Sequence, residues 1–346
     1  MRGDENRMFR DFHLPVFSFL GVEMSFDEVA AQYKSAKTVD RIEAVNRMKR
    51  LPVPDRVPLL MKAIRDKSNF VATMAAEQLG RCADYSATNE MLAHFCWLSE
   101  EGLSRDPGCH IRSHIAFAFG RLEHHAASEA LKLGIRTVQI EGVGGLPFDT
   151  AAQLRGNCAL ALAQLHDREA VLEIAPLLFD MTDGLGKPNP YSWRVVATEA
   201  LVRTGEMSAL IPLVIKLRYP GEEVPEVLQE CMQAVISLES RDAVSIIKPF
   251  LHHEDMHLAS FAALMLAQTR KPEVPELIYE CIQRFKGDAL KAAVLALASL
   301  READARKVLY RLAEDDRKDV RAALREALAN SEIEGDMEAL RKMDSR

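Results

Sequence analysis

The sequence is poor in aromatic residues and has no excess of basic charge. Phe, Trp and Tyr make up 6% of its 346 residues, tryptophan occurs twice, and 44 Lys and Arg stand against 51 Asp and Glu. A dedicated nucleic-acid-binding protein carries an excess of basic residues, so we do not expect nucleic acid as a partner. The 17 Gly and 15 Pro are also too few for a collagen-like or low-complexity chain. The composition is that of a globular protein.

Paired cysteine motifs and long apolar runs are missing as well. The six cysteines include no Cys-x-x-Cys pair, which favours reduced core residues over a disulfide framework. The longest nearly apolar stretch, Leu258 to Ala267, is about half the length of a membrane-spanning helix. Residues 1–24 show no clear signal-peptide cleavage site. From these absences we expect a cytoplasmic protein without a membrane span.

One pattern recurs along the chain and predicts its architecture. A small or apolar residue is followed four positions later by a large apolar one, and then by another small or apolar residue. This spacing places all three on one helical face, where small side chains let neighbouring helices approach closely. The large apolar positions are Leu79, Phe119, Leu162, Leu201, Val235, Leu266, Leu297 and Leu328.

The intervals between these positions are 40, 43, 39 and 34 residues, followed by 31 three times. A second amphipathic segment lies in each interval, so every repeat is a helix hairpin. We therefore predict an all-α fold, a right-handed α-solenoid of about eight to nine helix hairpins. The predicted organisation is an N-terminal extension over residues 1–24, the repeats over 25–331, and a C-terminal capping helix within 332–346.

The segment Asp319 to Leu328 (DVRAALREAL) and the segment Ile111 to Gly120 resemble HEAT repeats, in particular the short phycobilisome-lyase-like form. The resemblance covers residues 25–330 and implies an α-solenoid. It does not by itself imply one function, because HEAT arrays serve as scaffolds, adaptors, chromophore lyases, hydroxylases and DNA glycosylases.

Four consecutive repeats are longer than 31 residues, and the additional residues fall between the two helices of each hairpin. Turns at equivalent places in a solenoid lie on the same edge, so we expect these four loops to be neighbours and to form a binding surface. The alternative is that surface loops simply tolerate extra length. The four segments are Gly102 to Cys109, Gly142 to Thr150, Thr182 to Ser192 and Arg218 to Val224.

A row of arginines, Arg112, Arg155, Arg194 and Arg321, stands seven residues before the large apolar positions. Two interpretations are open. The arginines pair with nearby acids such as Asp106, Asp149 and Asp319 and brace the turns. Alternatively, Arg112, Arg155 and Arg194 form a stripe that binds carboxylates or phosphates, since guanidinium binds both in a bidentate manner.

Aromatic residues near this row complete the predicted binding surface. Trp193 lies at a helix start where burial and exposure are equally plausible, whereas Trp97 lies within the apolar helix Met91 to Leu98 and is predicted to be core. The full set of predicted binding residues is Arg105, His110, Arg112, Phe148, Asp149, Arg155, Asn157, Lys187, Asn189, Tyr191, Trp193, Arg194 and Tyr219.

Catalytic and metal-binding signals are weak. The pairs His110 with His114 and His253 with His257 have helical metal-ligand spacing but no third ligand, and we predict no metal, no cofactor and no catalytic residue. Around Ile115 the chain looks like the helices of deoxyhypusine hydroxylase, but Ser113 and His114 stand where that enzyme has its His-Glu pair. DNA glycosylase activity fits poorly with the negative charge balance.

The interpretation we favour is a non-catalytic scaffold or adaptor that binds a protein partner on the concave surface and long-loop edge of the central repeats. The alternative is a bilin lyase-like protein that binds a tetrapyrrole, with Arg155 and Arg194 holding propionates beside Tyr191 and Trp193. That alternative depends on fold analogy.

Overall fold

A computed structural model describes residues 25–82, 84–143, 145–180, 193–221 and 223–344. Most of these residues are helical, with a single β-hairpin among them, so the predicted all-α class is confirmed. None of the described helices combines the length and the apolar character needed to cross a membrane.

The described residues group into two compact units, one ending at Gln78 and the other beginning at Leu79, where the sequence predicted one array. The N-terminal unit begins with a reciprocal capping box between Ser25 and Glu28, as the sequence predicted. In this unit Arg41 forms a buried ion pair with Asp66 at 2.8 Å. Its helices are α1 Phe26–Tyr33, α2 Thr38–Met48, α3 Val53–Ala63 and the start of α4 Asn69–Cys82.

The C-terminal unit holds the remaining helices and both strands. Its α-helices are α5 Thr88–Glu100, α6 Gly102–Arg105, α7 His110–Arg121, α8 Ser128–Ile135, α9 Ala152–Gln164, α10 Ala170–Ile174, α11 Trp193–Arg203, α12 Leu210–Arg218, α13 Pro225–Ser237, α14 Ala243–Ile247, α15 Met256–Gln268, α16 Val274–Ile282, α17 Gly287–Ser299, α18 Ala303–Arg311, α19 Lys318–Leu328 and α20 Glu334–Asp344. Its strands are β1 Ile140–Val143 and β2 Leu146–Asp149. Its 3-10 turns are Tyr85–Ala87, Pro107–Cys109, His125–Ala127, Ala175–Phe179, Met207–Ala209, Lys248–His252 and Leu312–Glu314.

Within this unit the second helices of the repeats, α7, α9, α11, α13, α15, α17 and α19, pack against one another in chain order. The predicted large apolar positions on them are buried, from Phe119 and Leu162 to Leu328. Gly120 shows why small residues follow these positions, because an added Cβ there would lie 2.9 Å from the Cα of Ala161 on the next helix. The predicted close packing of neighbouring second helices through this face is confirmed. We call the packed face the helix seam.

The first helices of the repeats form a second layer, in which α8 packs against α10, the 3-10 turn Ala175–Phe179 after α10 packs against α12, and α12 packs against α14. Two of them change to 3-10 geometry part-way, over Ala175–Phe179 and Lys248–His252. Each change coincides with a proline, Pro176 or Pro249, whose nitrogen carries no hydrogen for an α-helical bond.

The segment Gly142 to Thr150, expected to be a loop, instead contributes most of an antiparallel β-hairpin. Val143 pairs with Leu146 at its tip, and Ile140 pairs with Asp149 at its base. Gly145 supplies the positive φ of 86° that such a tight turn requires. The hairpin stands between α8 and α9 in the chain.

Candidate functional site

Described residues of the inserted segments and of the chain directly beside them are linked by hydrogen bonds and ion pairs. We call the described parts of these segments the loop edge, comprising residues 101–109, 137–151, 180, 219–221 and 223–224. Gln139 Nε2 donates to Asp106 O, Arg155 contacts both Asp149 and Asp180, and Arg194 Nη1 donates to Asp180 O.

Arg112 on α7 forms the first buried brace of the loop edge. Its side chain is 2% exposed, and its Nε donates to Asp106 Oδ2 at 3.0 Å. Its Nη2 donates to Gln139 Oε1 at 2.6 Å, which links α7 to the residue just before β1. Asp106 also accepts the backbone N–H groups of Ile111 and Arg112, so it caps the helix on which its partner stands. One carboxylate thus fixes both the helix start and the arginine.

Arg155 and Arg194 form equivalent braces on α9 and α11. Arg155 Nη1 donates to Asp149 Oδ2 at 2.6 Å, and its Nη2 lies 2.7 Å from Asp180 Oδ2. Arg194 Nε lies 3.0 Å from Glu223 Oε2, and both side chains are almost completely buried. Buried guanidinium groups need such partners because an unpaired charge in the protein interior is strongly unfavourable.

These contacts favour the bracing interpretation of the arginine row over the anion-binding stripe. Arg112, Arg155 and Arg194 are each 3% exposed or less and turn their donors toward acids of the same chain. At the far end of the unit Arg321 donates to the carbonyl of Asp315, while the predicted partner Asp319 accepts from the N–H of Val320. Arg112, Arg155 and Arg194 therefore stabilise the loop edge through buried ion pairs.

Glu141 on β1 ties the hairpin to the segment before α7. Its Oε1 accepts from the Gly108 N–H and from Gln139 Nε2, both at 2.7 Å, and from Thr150 Oγ1 at 2.5 Å. Burial acts to raise the pKa of Glu141, but these hydrogen bonds outweigh it and lower the pKa below its usual value of 4.5. The carboxylate form therefore holds the hairpin in place.

A cleft of about 290 Å³ opens beside this network. Arg112 and Gln139 contribute polar atoms to its lining, and apolar side chains contribute much of the rest. Nη1 of Arg112 makes no hydrogen bond with any described residue. The cleft is lined by Ser99, Gly102, Leu103, Arg112, Leu133, Thr137, Val138, Gln139 and Ile140.

Four large apolar residues of this lining are strongly exposed: Leu103 (61%), Leu133 (55%), Val138 (63%) and Ile140 (55%). Leu103 comes from α6, Leu133 comes from α8, and Val138 and Ile140 come from β1 and the residues just before it. Three separate parts of the chain therefore contribute to one apolar surface. We call these four residues the apolar rim. Single exposed apolar residues are ordinary, but several around one cleft are typical of binding surfaces.

Trp97 lies on α5 and is 47% exposed, so its prediction as a core residue is wrong. The buried face of α5 passes through Met91, Phe95 and Leu98, and Trp97 falls outside that spacing. The guanidinium carbon of Arg105 lies 4.3 Å from the centroid of the indole ring, and Arg105 Nη1 donates to Trp97 O. An exposed tryptophan held by an arginine is a common anchor at protein interfaces.

The other predicted binding residues are distributed along the loop edge and α9. His110 and Tyr219 are exposed, Phe148 is half-buried, and Asn157 donates to Ser113 on α7. Trp193 is half-buried and packs over Gly156, where an added Cβ would lie 2.5 Å from the indole. Lys187, Asn189 and Tyr191 lie outside the described residues, as does the whole segment Thr182 to Ser192.

The described residues form no cluster of three His, Cys, Asp or Glu side chains suited to a metal. The cysteines are free thiols, four of them buried, although Cys96 is exposed where the sequence predicted core residues. Burial raises the pKa of Cys109 to about 11 and that of Cys231 to about 12. Both stay protonated at neutral pH, and a protonated thiol is a poor nucleophile.

Sequence analysis missed the apolar rim. Leu103 and Leu133 lie in segments whose helical periodicity does not distinguish an exposed face from a buried one. For Val138 and Ile140 a signal was present, since both are β-branched residues spaced by two, and the Gly144-Gly145 pair follows a few residues later in the sequence. That pattern is typical of a hairpin strand.

No protein-family model matches the chain, and no curated protein is similar to it in sequence. Among solved structures, the complex of CpcE and CpcF of phycocyanin lyase from Nostoc sp. PCC7120 has 17% identity and a TM-score of 0.32, covering 96% of this chain and 98% of that one. Human deoxyhypusine hydroxylase has 16% identity and a TM-score of 0.33, covering 93% and 96%.

A Kap121p mutant has 11% identity and a TM-score of 0.49, covering 91% of this chain and 37% of that one. At such identities and TM-scores these similarities carry no conclusion about activity or partners. The order and packing of its own helices make the chain a helical-repeat protein.

Proposed function

We propose that this protein is a non-catalytic adaptor that binds a protein partner at the loop edge of its C-terminal unit. The observation that carries the proposal is the apolar rim around the cleft. The exposed Trp97 adds to it, because it is held by Arg105 on α6, the helix that also carries Leu103. Apolar side chains left exposed on a rigid framework gain free energy when a partner removes them from water, about 25 cal/mol for each Å² buried.

The framework beneath the rim supports this proposal. Arg112 bonds to Gln139, Arg155 donates to Thr137 O, and Glu141 accepts from Gln139, so these three residues hold walls of the cleft. Little conformational freedom then remains to be lost when a partner binds. Tetrapyrrole binding, the alternative raised by the sequence, would use Arg155 and Arg194 for propionates. Both guanidinium groups are engaged in buried ion pairs within the chain, which favours the adaptor over the tetrapyrrole-binding alternative.

The test is site-specific photo-crosslinking in a lysate of the native host, with a photoreactive amino acid at Leu103. The matched control carries it at Leu295 on α17, an exposed leucine far along the chain from the loop edge. We expect one defined protein adduct at position 103 and none at 295. The same partner should be retained by Leu295→Glu and lost from Leu103→Glu, because a charge placed in an apolar contact cannot be desolvated cheaply.

Two results would contradict the proposal. One is an equal yield of the same adducts from both positions, which would indicate nonspecific contact. The other is retention of the partner by Leu103→Glu with unchanged affinity, which would place the binding surface elsewhere.

A further inference from the structure

We propose that β1 accepts an extended peptide segment of the protein partner as an added strand. This inference deepens the proposed function, on which it rests, by naming the kind of chain that the loop edge binds. It starts from the register of the hairpin, in which Glu141 pairs with Phe148 and Gly142 with Pro147.

The register determines which backbone groups of β1 remain open. Thr150 N–H donates to Gln139 O, so residue 139 is a hydrogen-bonded position of the ladder. Such positions alternate in an antiparallel pair, so Glu141 also bonds across to β2. The N–H and C=O of Ile140 and Gly142 then point away from β2. Neither residue makes any further hydrogen bond with a described residue.

The two edges of the hairpin differ in their capacity to pair. On β2 the outward positions are Pro147, which has no N–H, and Asp149, whose side chain is 2% exposed and pairs with Arg155. Proline and buried charge are devices that protect an edge from further pairing. On β1 the outward positions are Ile140 and Gly142, and neither device is present. The hairpin can therefore extend on the β1 side alone.

The surroundings of β1 favour a peptide with apolar side chains. The cleft of about 290 Å³ adjoins Val138, Gln139 and Ile140, and Leu103 and Leu133 form its other walls. An added strand would place alternate side chains toward these residues.

The probe for the test is a phage-displayed library of random dodecapeptides, selected on the full chain. We expect enriched sequences in which apolar residues alternate. A synthetic copy of the most enriched peptide should bind Ile140→Pro roughly tenfold more weakly than wild type, because proline removes the outward N–H while leaving the ladder to β2 intact. The matched variant Ile140→Thr keeps that N–H and a β-branched side chain and should bind within about threefold of wild type.

Amide hydrogen exchange gives the readout that belongs to strand pairing. On adding the peptide, exchange at Ile140 and Gly142 should slow about tenfold, since their amides gain hydrogen-bond partners. Unchanged exchange at both amides, or equal loss of binding in Ile140→Pro and Ile140→Thr, would overturn strand addition. Either result leaves the partner crosslink at Leu103 intact, so the two proposals fail separately. A dimer of this chain that Ile140→Pro dissociates would assign the open edge to a second copy and overturn the inference.

Discussion

At the scale of single residues, Gly102 decides how closely α6 approaches the first brace. An added Cβ would lie 2.5 Å from Gln139 Oε1 and 2.6 Å from Arg112 Nη2. Both atoms are fixed by their hydrogen bond to each other, so neither can move without losing it. A side chain at this position has to separate the two.

We predict that Gly102→Ala lowers the free energy of unfolding by about 1–3 kcal/mol, the cost of disturbing a buried charged hydrogen bond. Urea unfolding followed by circular dichroism measures this change. Gly142→Ala is the matched control, because nothing lies within 4 Å of its added Cβ, and it should remain near wild-type stability. Equal stability of the two variants would show that the brace adapts to the extra methyl group.

The lowered pKa of Glu141 predicts how the free energy of unfolding depends on pH. Its pKa is lowered in the folded chain, so its contribution is present above the unfolded value of 4.5 and is lost as pH falls through the folded pKa. At pH 7 we expect Glu141→Gln to be about 1 kcal/mol less stable than wild type. The difference should shrink as the pH is lowered below about 4.

Chemical denaturation of both proteins across this pH range measures the effect. The exposed Glu230→Gln on α13 serves as the control and should follow wild type throughout. A difference for Glu141→Gln that stays constant to low pH would mean that its carboxylate charge contributes nothing.

At the scale of elements, the helix termini differ in how they are capped. Asp255 accepts the N–H groups of His257 and Leu258 at the start of α15, whereas Asp242 stands at the start of α14 without a side-chain cap bond. Asp255→Ala should therefore destabilise the protein by about 1 kcal/mol, and Asp242→Ala by much less. Thermal unfolding compares the two, and equal shifts in Tm would contradict the assigned cap.

The helices could be predicted because the spacing of small and apolar residues on each helix is visible within a short stretch of sequence. Leu162, Leu266 and the capping box at Ser25 were found from spacing alone, and the structure buries or caps each as expected. The hairpin was harder to predict, because a proline such as Pro147 normally argues against a strand. In the structure its nitrogen lies on the side of β2 that points away from β1, where no ladder hydrogen bond is lost.

The candidate site was predicted only in part, because some of the residues that contact one another there are far apart in the sequence. Asp106 and Asp149 precede their arginines by six residues and were foreseen as braces. Glu223 lies 29 residues after Arg194, and no local pattern connects them. Trp97 was misplaced because α5 is apolar on several sides, so its periodicity does not separate the buried face from the exposed one.

At the scale of the whole molecule, each repeat of the C-terminal unit is stabilised mainly by its neighbours. Leu266 is fully buried on α15, which packs between α13 and α17. Leu266→Asp should cost about 4 kcal/mol or more, since it removes a core side chain and buries a charge. We expect the repeats around α15 and beyond it to unfold first, giving a separate early step.

Differential scanning calorimetry and hydrogen exchange resolved by segment measure this step. The same change at an exposed leucine, Leu295→Asp, is the control and should leave a transition like that of wild type. A single unshifted transition in Leu266→Asp would show that the seam does not couple the repeats.

The unequal edges of the hairpin also limit stoichiometry. A ribbon with two open edges can grow without end, as each added strand offers a new template. Here Pro147 closes one side, so a single addition fills the capacity of the hairpin on the chain itself. Two copies of this chain that paired β1 with β1 would occupy both open edges and leave only the closed ones, so pairing between copies would stop at two.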